Sequence, residues 1–142
     1  MKKCNRIYHE FLKNIDNRLY THLISNQVTP ELQLMRWLRC LLSREFKIEN
    51  TLMFWDFILG GIESKHRIDM KSKEAELLSI DDDPLANLDY LCVAMIMNIK
   101  ADLLESDFSM CFAILLNYPE PNVPEVLLRN AIKIKHKMKE SP

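Results

Sequence analysis

Only two glycines occur in the 142 residues, and they are neighbours, Gly60 and Gly61. Glycine is what a chain uses where φ must turn positive or where backbone must approach a ligand closely. A turn-rich β sandwich needs many such positions. A phosphate-cradling loop, whether of the dinucleotide or the Walker kind, needs at least two glycines at set spacings that an adjacent pair cannot provide. Those folds and that mode of nucleotide binding are excluded, and an all-α fold is expected. Hydrophobic residues at 48% and charged residues at 27% suit one globular domain, or part of one.

A formal net charge of -1 provides no field to gather nucleic acid or anionic lipid. Cys4, Cys40, Cys92 and Cys111 lie far apart in sequence, and no secretory segment precedes them, so free and mostly buried thiols in a reducing, cytoplasmic setting are expected. The longest strongly apolar run, Leu91 to Ile99, reaches about half a membrane span and contains Asn98. No transmembrane segment is expected.

Hydrophobic spacing predicts six or seven helices packed as an irregular lobe. The first covers residues 5–14 with Ile7, Phe11 and Leu12, and Asp16 suits the N-cap of the next, which carries Leu19, Leu23 and Ile24. Thr29 and Pro30 open a helix whose stripe is Leu34, Leu38 and Leu41, widened by Met35 and Leu42. A helix from Ile48 is apolar nearly all round between Leu52 and Leu59, interrupted by Asp56, with Gly60 or Gly61 as its left-handed C-cap. Residues 63–84, rich in charge and ending in three aspartates, read as a flexible surface insertion. The pattern returns from Leu85 through Leu103. Ser106 is the expected N-cap of a helix that stops before Pro119, and a last helix over residues 124–138 carries Val126, Leu127, Ala131 and Ile134.

Catalytic and metal chemistry find little footing. His9, His22, His66 and His136 are scattered and no cysteine lies within four residues of a histidine, so no metal site is expected. The run Asp81-Asp82-Asp83 lacks the alternation and glycine of a calcium loop. What stands out is Arg36-Trp37, Arg44-Glu45-Phe46 and Trp55-Asp56, which hold both tryptophans of the chain. An acid on a greasy helix needs a donor, and Arg36 and Arg44 are the natural partners for Asp56. Two readings stay open: a buried cluster of ion pairs and tryptophans pinning two helices together, or an arginine projecting to a partner surface.

The stretch PELQLMRWLRCLLSREFKIENTLMFWDFIL resembles the TBC domain of Rab GTPase-activating proteins, in which an R-W-x-R-x-L-x-x-R-E-F helix precedes W-D by about nine residues. Arg36, Trp37, Arg44, Glu45, Phe46, Trp55 and Asp56 match as a set, and the resemblance extends over about Phe11 to Ile134. It implies the C-terminal lobe of such a domain over residues 1–142, an all-α fold, a Rab-type GTPase as partner, no cofactor, and work in vesicle trafficking at the periphery of endomembranes. In that family an arginine in I-x-x-D-x-x-R and a glutamine in Y-x-Q complete the GTPase site; neither motif occurs here. The resemblance therefore implies a regulatory portion with no catalytic residue of its own, inactive alone. The alternative is a non-catalytic helical scaffold or adaptor that binds a GTPase or trafficking partner. Separation from the other lobe would expose an apolar face and favour self-association.

Overall fold

The computed structural model describes residues 2–67 and 86–140. Among the described residues every regular element is helical, as the glycine argument requires. The chain opens as one helical rod in three parts: α1 (Lys2–Asn5), a π-helical stretch (Arg6–Leu12) and α2 (Lys13–Ile15). A π turn holds one more residue than an α turn. It thereby brings Ile7 and Leu12 onto a single buried face with Tyr8. Asp16 then caps α3 (Asn17–Ser25) by accepting from the Leu19 N–H at 3.1 Å, as its sequence position predicts.

Next come α4 (Pro30–Arg39) and α5 (Ile48–Arg67). Thr29 precedes α4 in extended conformation without a side-chain capping bond. The helix also ends sooner than its leucine stripe suggests. At Leu41 and Leu42 the backbone turns left-handed, with φ of 49° and 68°, and the Leu42 N–H donates to the Trp37 carbonyl at 3.0 Å. Meanwhile α5 runs straight through Gly60 and Gly61, neither of which has positive φ, so the glycine pair does not cap it. The first five residues of the expected 63–84 insertion are thus helical, and the rest of it lies outside the described residues.

The centre of the fold is α6 (Ala86–Asn98), buried without a break from Ala86 to Ile96. The N-terminal rod, α5 and most extensively α9 (Pro124–Glu140) pack around it. A helix apolar on all sides belongs in such a position. Sequence periodicity predicts a single helix from Leu85 to Leu103, but Ile99 breaks it and α7 (Lys100–Leu104) follows as a separate element. The helix α8 (Phe108–Leu116) is capped by Asp107, which accepts from the Met110 N–H at 3.0 Å, rather than by Ser106. On α9, Leu127, Ala131 and Ile134 are buried as expected, while Val126 faces outward.

Candidate functional site

The turn between α4 and α5 gathers five of the seven residues that the sequence singles out. Arg36 comes from the last turn of α4. Its Nε and Nη2 each donate to one oxygen of Glu45 at 2.8 Å, and Nη2 also reaches the Leu116 carbonyl at 2.7 Å. The Glu45 side chain is 1% exposed, so this fork is what pairs its buried oxygens. The Glu45 carboxylate in turn raises the guanidinium's hold on its proton. Trp37, Phe46 and Tyr118 are buried together, with Tyr118 edge-on to both at 5.6 Å. The Tyr118 hydroxyl donates to the Met95 carbonyl at 2.7 Å, and burial pushes its phenol upward in pKa. Trp55, half-buried on α5, donates its indole N–H to the Leu41 carbonyl at 2.7 Å. That bond spans the left-handed bend. On the far side of the turn, the Glu120 carboxylate accepts from the Lys47 N–H at 2.6 Å and from Asn50 at 3.2 Å.

Asp56 and Arg44 stand apart from this assembly. Both are exposed, and among the described residues neither forms an ion pair. The expected Asp56–arginine clasp is therefore wrong. The buried side of α5 is Asn50, Thr51, Phe54 and Ile58. Helical geometry then puts Asp56 on the opposite face beside Leu52 and Leu59. The helix is one-sided rather than buried all round, and the acid that Arg36 holds is its own neighbour across the turn.

A buried acid on an apolar helix does exist, in a place the sequence reading missed. Asp89 on α6 is 0% exposed. Lys3 Nζ lies 2.7 Å from its Oδ1, and the Arg6 guanidinium contacts its Oδ2. Arg6 also lies over the Phe11 ring, which stacks on Tyr90 at 5.2 Å between centroids. Burial pushes the Asp89 carboxyl above the usual carboxylate range, and Lys3 and Arg6 offset only part of that. The signal was available: Asp89 is the single charged residue of α6, and MKKCNR at the start of the chain is basic.

Thiol chemistry has no footing at Cys92, which is fully buried, where desolvation pushes the thiol well above its ordinary value. All four cysteines are free, three of them buried. Among the described residues no three potential metal ligands come together, and no helix is long and apolar enough to cross a membrane.

The arrangement is thus a structural cluster. The family model of the Rab-GTPase-TBC domain matches residues 1–70, which include the whole Arg36–Asp56 stretch. The chain carries part of a TBC domain. TBC1 domain family member 5 homolog B of Dictyostelium discoideum is 30% identical over 133 residues, 94% of this TBC chain and 11% of that protein. Human TBC1 domain family member 5 is 30% identical over 117 residues, 82% of this chain and 12% of the relative. Human TBC1 domain family member 13 is 30% identical over 125 residues, 88% of this chain and 26% of the relative. In three dimensions the crystal structure of the Ypt/Rab-GAP domain of Gyp1p matches with a TM-score of 0.69 at 21% identity, over 96% of this chain and 37% of that one. The all-α TBC fold expected from the resemblance is the fold observed, and the chain spans only a minor part of each relative's length.

Proposed function

We propose that this TBC chain is the C-terminal lobe of a GTPase-activating domain for a Rab-type small GTPase, and that alone it leaves GTP hydrolysis at its intrinsic rate. The observation that carries this reading is a mismatch. The chain matches TBC relatives along nearly its whole length, yet its sequence contains neither I-x-x-D-x-x-R nor Y-x-Q. An arginine supplied in trans stabilises the charge that develops on the transferred phosphoryl group, and a positioned glutamine orients the attacking water. Arg36 does not stand in for such an arginine, since its guanidinium is engaged by Glu45 and the Leu116 carbonyl. Its role, and that of Trp37, Phe46 and Trp55, is to hold the α4–α5 turn in shape. Arg44 is exposed on that turn, and a partner contact is the role this reading gives it.

A chimera tests this directly. The N-terminal half of a TBC domain that carries both motifs is joined to residues 1–142 in place of its own C-terminal lobe. Accelerated hydrolysis by a GTP-loaded Rab supports the reading. A folded chimera that binds the Rab without accelerating hydrolysis favours instead a non-catalytic helical module, whose role at trafficking membranes would rest on binding alone.

A further inference from the structure

We propose that the outward faces of α5 and α9 form one self-complementary surface through which two copies of this chain associate. Both helices pack on α6 and touch each other, so their outward faces adjoin. On α5 that face carries Ile48 and Leu52, 65% and 50% exposed, together with Leu59. Among the described side chains its exposed acids are Glu49 and Asp56. On α9 the face carries Val126 and Ile132, with exposed Arg129 and Lys133 between and beside them. None of these four charged groups forms an ion pair among the described residues. At the helix heads the signs reverse, Lys47 on one and Glu125 on the other, and remain complementary.

The pairing of signs selects the occupant. Stacking α5 on the partner's α5 would set acids against acids, and α9 on α9 would set cations against cations. Crossing α5 of one copy onto α9 of its partner resolves both, and a two-fold axis makes the contact twice. A foreign partner would have to present both signs in the matching arrangement, which a second copy of this surface already does. The helices, of 20 and 17 residues, are about 30 and about 25 Å long. Side by side they offer a footprint of the order of the roughly 800 Å² per partner that stable interfaces bury. This inference does not depend on the GTPase reading, and its readout involves no nucleotide.

Sedimentation velocity of the 142-residue chain across a concentration series is the test. A concentration-dependent dimer is expected. Asp56→Lys and Lys133→Glu should each weaken it at least about tenfold, since like charges then face each other. The two changes in one chain should restore association, with circular dichroism showing that all variants fold. A chain that stays monomeric throughout, its face left to some other protein, overturns the proposal. So does an association that neither charge reversal alters.

Discussion

Arg36 and Glu45 face each other across the α4–α5 turn in a two-pronged contact, each prong 2.8 Å long, and the two residues depend on it unequally. The Glu45 side chain is 1% exposed while that of Arg36 is 35% exposed. Removing the arginine strands a buried carboxylate. Removing the carboxylate leaves an arginine that can turn to water and still reach the Leu116 carbonyl. Arg36→Ala should therefore cost about 3 kcal/mol, the low end for an uncompensated buried charge. Glu45→Ala should cost closer to about 1 kcal/mol. Urea unfolding of both variants and of the pair measures the asymmetry. Arg36→Lys should not recover the loss, because a lysine ammonium cannot make the fork.

Asp56→Ala should change stability by less than about 0.5 kcal/mol, as befits an exposed residue. The same unfolding assay checks it, and a loss of several kcal/mol would put Asp56 back in the core.

Asp89 gives the chain a distinctive pH dependence. Its carboxyl is pushed above its ordinary 3.8, so the folded chain binds its proton more tightly than the unfolded chain does. The resulting stabilisation is full below 3.8 and is lost as pH rises through the raised value. Asp16 runs the other way. Partial burial pushes its carboxyl up, but Lys100 and the Leu19 N–H outweigh that and leave it lowered, so its contribution is present above 3.8 and lost as pH falls through its lowered value. Asp89→Asn cannot ionise and should gain on the natural chain between about pH 4 and about pH 7. Asp89→Ala removes both acceptor oxygens, where Asn keeps one, and should cost about 3 kcal/mol at neutral pH. Unfolding curves at several pH values separate the two effects.

Gln27 is exposed at φ 62°, with no hydrogen bond from its side chain among the described residues. A left-handed conformation costs a residue with a Cβ about 1–2 kcal/mol. Gln27→Gly should raise the melting temperature, offset in part by glycine's greater freedom when unfolded. Leu42 is no such case, because its side chain is buried and its loss would open the core.

The sequence made the helical class legible through its scarcity of glycine, and it made the α4–α5 signature legible through spacing. It located the Asp16 cap because an Asx cap is a local event. It missed what depends on neighbours. Leu41 bends left-handed where its carbonyl accepts from the Trp55 indole, 14 residues away, a partner that local spacing does not reveal. Whether Asp56 or Asp89 is the buried acid depends on how many sides of each helix are covered. Apolar residues surround both positions in sequence, and only α6 is enclosed by the rod, α5 and α9. The glycine pair misled for a related reason: a C-cap signal acts only where the helix has cause to stop, and α5 continues to Arg67.

The central claim, that this TBC lobe shapes a GTPase activator without supplying its catalytic groups, is tested most directly by single-turnover GTP hydrolysis over a panel of Rab proteins with the 142-residue chain in excess. The account predicts the intrinsic rate for every Rab. Acceleration of about a hundredfold or more, well within what an arginine supplied in trans achieves, would contradict it.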